Sequence, residues 1–274
     1  MDIVKIPKKL RDIFDILRNG QIELGLAKLT EIKDFEPQKA IVLAEINYFS
    51  SNDELAMTND EQALPFDGQW YAGNVLFEHF FAYTSAAIRS DQKKRAENFY
   101  KTYLAEKEKA GLEDHRFDTY KHQVKQHLAK LKGKKTLTID ATPLQIIENG
   151  KGMNDFIAQL KKYKPKLTHD TVKGAEYLLG FMFEEGNTAE SLAYYEKFAE
   201  ELTNEDDHLL AARLFVLTGE IEKAKTAIRN YVKVWYPVEH IQITPMRLWE
   251  FEDLHPILTQ EFKEELLRTP KAKL

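Results

Sequence analysis

The chain contains no cysteine. That excludes a disulfide framework, a thiolate zinc site and a cysteine nucleophile together, and it fits a reducing compartment. Long apolar runs are missing too. The most hydrophobic stretch, Val75 to Ile88, carries Glu78 and His79 and is too short to span a bilayer. Met1 to Gly20 is amphipathic and lysine-rich, without the apolar centre of a signal peptide. The expectation is a cytoplasmic protein that does not enter membranes. Catalytic signatures are also lacking. There is no His-Glu-x-x-His run and no Gly-x-Ser-x-Gly elbow, and Gly133-Lys134-Lys135-Thr136 has neither the upstream glycine nor the strand of a phosphate loop.

What the chain does have is a recurring helical hairpin. Around Gly219, Ala212 and Phe215 stand seven and four residues before, and Ala224, Ile228 and Tyr231 stand five, nine and twelve after. A glycine can leave a helix at positive φ without a Cβ clash. Small residues at minus seven and plus five let two helices approach, and the larger ones fill the seam. Gly186, thirty-three residues earlier, repeats this with Gly180 and Phe183 before it and Ser191, Tyr195 and Phe198 after. Gly20 does so with Ile13, Ile16, Gly25, Leu29 and Ile32. Asp91 gives a fainter copy with Thr84, Ala87, Ala96, Tyr100 and Tyr103.

This pattern resembles the tetratricopeptide repeat, a helix-turn-helix unit of about 34 residues. The segments Tyr177 to Phe198 and His208 to Tyr231 resemble it most, through Leu179-Gly180, Phe183, Gly186 and Tyr195. Two departures stand out: the turn at Gly186 comes one residue early, and no proline closes the units. The resemblance implies an all-α superhelix, or solenoid, of hairpins with an atypical C-terminal cap.

Read along its length, the chain divides into an N-terminal helical array (1–131), a boundary (132–152) with Gly133, Pro143, Gly150 and Gly152, and C-terminal pairs with a cap (153–274). Helices are expected after Pro37, from Trp70 to Ser90, from Gln92 to Lys109 and from Asp114 to Leu131. In the Trp70 helix, Leu76, Phe80, Tyr83 and Ala87 form one apolar stripe, and Phe77, Phe81 and Ile88 form the next. The end of the Ser51 to Gly68 stretch reads as a loop interrupting the repeats. From Tyr236 onward, Pro237, Pro245 and Pro256 break the tail before a last helix containing Phe262, Leu266 and Leu267.

Charge is unevenly spread. The net charge is −5, yet between Asp118 and Asp140 there are six lysines (Lys121, Lys125, Lys130, Lys132, Lys134 and Lys135) and no acid. Between Gly174 and Asp207 ten acids face Lys197 alone. His115, Asp118 and His122 share a helix face, but such faces are ordinarily solvated, so no metal site is assigned. Glu78-His79 and Glu239-His240 are sequence neighbours that point in different directions on a helix and form no dyad. Glu184-Glu185 and Glu200-Glu201 read as solvated surface. No catalytic residue and no cofactor are expected.

The expected activity is protein binding, as a scaffold, adaptor or inhibitor. The repeat resemblance places inward-facing residues at Tyr177, Phe181 and Glu184, then at Leu209, Arg213 and Val216. The implied ligand is a protein or peptide with basic and apolar character. Nucleic-acid or polyanion binding through Lys121 to Lys135 is the alternative. A toxin-neutralising, immunity-type role is a further form of the binding reading, by analogy of architecture.

Overall fold

The structure, a computed structural model, describes residues 6–65, 70–109, 188–197, 199–200, 202–237 and 240–272. Within these residues there are ten α-helices and no strand. They are α1 (Lys8–Arg18), α2 (Ile22–Thr30), α3 (Glu36–Phe49), α4 (Asp53–Ala63), α5 (Trp70–Arg89), α6 (Lys93–Lys109), α7 (Thr188–Lys197), α8 (Glu205–Leu217), α9 (Ile221–Val234) and α10 (Gln260–Arg268). Two short 3-10 turns, Met246–Glu250 and His255–Ile257, precede α10. No described helix is long and apolar enough to cross a membrane. The boundary segment 132–152 and the helix expected at Asp114 to Leu131 lie outside the described residues.

Four hairpins, α1/α2, α3/α4, α5/α6 and α8/α9, turn in the same way. Each passes through one left-handed residue: Gly20 (φ 78°), Ser51 (φ 57°), Asp91 (φ 55°) and Gly219 (φ 81°). That residue donates to the carbonyl three back, and the next residue donates to the carbonyl five back. Gly20 bonds Leu17 at 2.9 Å and Gln21 bonds Ile16 at 3.2 Å; Gly219 bonds Val216 at 3.1 Å and Glu220 bonds Phe215 at 2.7 Å. Asn52 to Asn47 (2.9 Å) and Gln92 to Ala87 (2.7 Å) complete the set. These bonds satisfy carbonyls that a helix end otherwise leaves open.

Positions around the turn behave alike in all four hairpins. Seven before stand Ile13, Ala44, Thr84 and Ala212, and five after stand Gly25, Ala56, Ala96 and Ala224; all are buried. A Cβ on Gly25 would lie 2.3 Å from Leu17 Cδ2, so any side chain here would have to displace the fully buried Leu17. Nine after, Leu29, Tyr100 and Ile228 fill three of the seams, while the α3/α4 hairpin carries Asp60 there. That hairpin was not foreseen. Its turn has no glycine, and a carboxylate occupies its main core position. Beyond α4, Leu64 and Pro65 leave the helix.

Two compact units emerge. The first comprises residues 1–136 together with 235–274, and the second comprises residues 137–234. The tail, expected to close the C-terminal pairs, folds instead with the N-terminal helices. Its last helix ends against the first turn, where a Cβ on Gly20 would lie 2.0 Å from the Arg268 carbonyl oxygen. The Lys271 ammonium donates to the carbonyls of Leu266 (3.1 Å) and Leu267 (2.6 Å) and so caps α10.

The core of the first unit is aromatic where α5 meets α6. The Phe80 ring lies 4.6 Å from that of Tyr100 and 4.4 Å from that of Tyr103, and Tyr83 stacks on Phe99 at 4.1 Å. Tyr100 and Tyr103 donate to the carbonyls of Phe80 (2.7 Å) and Gly73 (2.6 Å), so neither hydroxyl is stranded. Burying each such ring contributes roughly 1.5–3 kcal/mol, with about 0.5–1.5 kcal/mol more from edge-on pairing. The stripe of Leu76, Phe80, Tyr83 and Ala87 is buried as expected; Ile88, in the last turn of α5, is exposed.

In the second unit, α8 and α9 pack as a hairpin with Tyr195 of α7 edge-on to Phe215 at 6.0 Å. The helix α8 begins with a reciprocal cap. Asp207 N donates to Asn204 Oδ1 at 3.0 Å, and Asn204 N donates to Asp207 Oδ2 at 3.1 Å. Part of the acidic run thus serves the positive end of a helix.

Candidate functional site

Within the first unit, the first helix of each hairpin offers one titratable side chain to the same non-helical stretch of the tail, residues 240–245. Arg18 of α1 donates through one terminal nitrogen to the carbonyls of His240 (2.8 Å) and Gln242 (2.9 Å). Glu45 of α3 accepts on Oε2 from the backbone of Ile243 (2.9 Å) and Thr244 (2.8 Å) and from the Thr244 hydroxyl (2.9 Å). Glu78 of α5 accepts from Gln242 Nε2 at 2.8 Å. Four of these six bonds reach main-chain atoms of the segment.

The 3-10 turn that follows drops Trp249 beside α3, 6.2 Å from the Phe49 ring and 6.4 Å from that of Tyr48. Arg89 (6.0 Å) and Lys263 (5.3 Å) bring cations to the Trp249 ring. Lys263 also donates to the Tyr48 carbonyl at 3.3 Å, and Lys271 N bonds the Arg18 carbonyl at 3.0 Å.

Behind Glu45 lies a buried ionic cluster. His79 of α5 places Nδ1 2.7 Å from Asp60 Oδ1 and Nε2 3.5 Å from Glu45 Oε1. The second separation is that of an ion pair, too long for a good hydrogen bond. Tyr48 donates to the other Asp60 oxygen at 2.7 Å. Glu45, Asp60 and His79 are all 0% exposed. Burial works against an imidazolium, but the charge and hydrogen bond of Asp60, with Glu45 on the far side, outweigh it and raise the His79 pKa to about 10. His79 is therefore a cation bridging two carboxylates. The same buried setting, with Asp60 alongside, pushes the Tyr48 phenol well above its usual range, so it remains a donor. Withdrawal from water, aided by Glu250 and Glu45, raises Glu78 to about 8. Glu78 and His79 thus hold different partners, as their adjacency on a helix requires.

A more exposed rim closes the α4/α5/α6 side. Arg95 spans Glu61, with Nε to Oε1 at 2.6 Å and a terminal nitrogen to Oε2 at 3.0 Å, and reaches Glu54 at 2.6 Å; the Tyr83 hydroxyl donates to Glu61. Arg89 pairs with Asp53 at 2.7 Å.

The cluster carries charge but offers no acid–base site to an outside molecule while the tail is in place, because its members have no exposed surface. Among the described residues no group of three or more His, Asp and Glu is arranged to hold a metal ion.

Of the residues expected to line a groove, Leu209 is 2% exposed and packs inside, whereas Arg213 and Val216 of α8 are half-buried and keep surface. Tyr177, Phe181 and Glu184 lie outside the described residues, as do Gly186, Lys121, Lys125, Lys130, Lys132, Lys134 and Lys135, and also His115, Asp118 and His122. Arg18, Glu45 and Asp60 were not singled out from the sequence, and Glu78-His79 was weighed there only as a pair that forms no dyad. A signal for two of them exists in retrospect. Glu45 interrupts the apolar series Ile41, Ala44, Ile46 and Phe49, and Asp60 stands where the other hairpins are apolar.

Comparison with known proteins finds no relative: no family model matches the chain, no curated protein matches its sequence, and no solved structure matches its fold.

Proposed function

We propose that this chain is a protein-binding helical-repeat module that holds a segment of another protein against the first helices of its hairpins. The observation that carries the reading is the grip on residues 240–245. Three successive first helices direct Arg18, Glu45 and Glu78 at a non-helical segment, mostly through its backbone carbonyls and amides. Main-chain bonds of that kind supply affinity for an extended segment, and the side chains it carries supply the specificity. The surface is also pre-formed on packed helices, so little ordering entropy opposes binding.

The resemblance to tetratricopeptide repeats extends the reading to a solenoid. By that resemblance the equivalent positions are Arg213 and Val216 of α8, half-buried with surface to spare, and, outside the described residues, Tyr177, Phe181 and Glu184. The acidic run from Gly174 to Asp207 favours a partner with basic and apolar character, captured faster at low salt. The reading assigns no cofactor and no catalytic step, and it places the protein in the cytoplasm as a scaffold, adaptor or inhibitor, a toxin antagonist included.

The test is a tagged pull-down from the protein's own cells, with and without nuclease, using the wild type and Arg213→Glu. The expected result is one stoichiometric protein that survives nuclease and is lost in the variant while helicity is kept. Recovery of nuclease-sensitive material alone would contradict the reading and move the weight to Lys121 through Lys135.

A further inference from the structure

We infer that the face formed by α1, α3 and α5 is a peptide-recognition site, and that segment 240–250 occupies it as a stand-in for a partner segment of the same chemistry. This deepens the protein-binding reading above and rests on it. The partner segment is non-helical through a β-branched residue on each side of a polar one and a following Ser or Thr hydroxyl, then makes a 3-10 turn that carries a large aromatic five residues beyond that hydroxyl. In the resident copy these features are Ile241, Gln242, Ile243, Thr244 and Trp249.

Two independent observations separate this site from ordinary core packing. First, the α3/α4 hairpin abandons the repeat's apolar pattern at the site. Asp60 stands nine residues after its turn, where the others have Leu29, Tyr100 and Ile228. Burying charge is a poor way to stabilise a core, and apolar replacements of such pairs are often neutral or better. What Asp60 does is hold the His79 ring 3.5 Å behind Glu45, whose other oxygen accepts from two consecutive amides and a hydroxyl. Second, the tail fits imperfectly. Arg18 Nε and Trp249 Nε1 are buried without a hydrogen-bond partner. Each such group is a cost that a better-matched segment avoids. An occupant with these deficits, attached to the site by its own chain, lowers the apparent affinity of any competitor by the fraction of time the face is open.

The probe is a fluorescent synthetic peptide with the sequence of residues 240–250, titrated into the full chain and read by anisotropy. Trp249→Ala loosens the resident segment without touching the receiving helices, and Ile243→Ala serves if the first variant does not fold. The expected result is peptide binding at least about tenfold tighter in the loosened variant than in the wild type. Adding Glu45→Gln should reverse the gain, and a scrambled peptide should not bind. The inference is overturned by unchanged peptide affinity in a variant that keeps its helical circular dichroism, or by uptake indifferent to Glu45→Gln. It is also overturned by loss of helix in both variants, which would make the tail an integral core element. A concentration-dependent dimer in place of peptide uptake would assign the face to a second copy and overturn the partner assignment. Peptide uptake with an empty pull-down would keep this site and remove the cellular partner; the reverse pair of results would keep the partner and remove this site.

Discussion

Replacing Glu45 tests the structural logic of the first unit at the point where α3 holds the tail. In Glu45→Gln the amide oxygen can still face Ile243 and Thr244, but the three bonds to Oε2 lose their charge assistance. Bonds to an ionised group are worth about 1.5–3 kcal/mol and neutral ones about 1 kcal/mol. The loss over three bonds is thus about 1.5–6 kcal/mol, nearer the lower end because the three donors share one oxygen, and His79 additionally keeps only Asp60 of its two carboxylate partners. We expect a cost of about 3 kcal/mol for Glu45→Gln and about 5 kcal/mol for Glu45→Ala, which strands two buried amides as well. Either is a large part of the ~5–15 kcal/mol that a domain has to spare.

The assay is urea unfolding followed by two signals. All three tryptophans, Trp70, Trp235 and Trp249, fall in the first unit, so fluorescence reports that unit while circular dichroism reports both. Hydrogen exchange localises the effect. About 3 kcal/mol corresponds to exchange roughly a hundredfold faster at Ile243 and Thr244, with amides of α8 and α9 unchanged. A shift below about 1 kcal/mol, or tail amides that exchange at the wild-type rate, would refute the claim that Glu45 fastens the tail.

Three further outcomes follow from the same contacts. Gly20→Ala and Gly219→Ala share the left-handed strain, about 1–2 kcal/mol, but only Gly20 meets the Arg268 carbonyl at 2.0 Å, while nothing lies within 4 Å of a Cβ on Gly219; thermal unfolding should therefore rank Gly20→Ala as the more damaging by about 2 kcal/mol or more. Asp60→Leu restores the apolar residue that the other hairpins carry there yet leaves His79 short of a carboxylate, so it should cost about 3–5 kcal/mol alone and couple with His79→Leu by about 2 kcal/mol or more in a double-mutant cycle. Glu78, raised to about 8 from 4.5, contributes stability that is present below pH 4.5 and lost as pH rises through 8. Glu78→Gln should therefore gain on the wild type across that window by up to about 4–5 kcal/mol and stay level above it; His79, raised to about 10, titrates in both proteins and cancels in the difference.

The hairpins were legible because their turns obey a local rule. Gly20 and Gly219 are needed for positive φ, and the small residues five beyond are needed for close approach, so sequence alone located both. Asp91 was found through its neighbours despite lacking a glycine. The Ser51 turn was not, because Asp60 removes the apolar residue that the spacing looks for. The tail's destination was hidden for a different reason. Pro237, Pro245 and Pro256 forecast broken structure, but which helices such a segment packs against depends on contacts some 200 residues apart, such as Glu45 with Thr244. The polar site shares that origin. Arg18, Glu45 and Glu78 acquire a common role only when three hairpins are set side by side, and nothing in their local spacing announces it.

The central claim, that the first helices of this chain hold a protein segment, is tested most directly by hydrogen exchange on the chain alone and in the eluted, nuclease-treated complex with its captured partner. The account predicts that the α1, α3 and α5 amides remain protected while those of residues 240–250 exchange faster, because the partner segment has taken the tail's place. Unchanged exchange in the tail, with partner-induced protection confined to other parts of the chain, would contradict it.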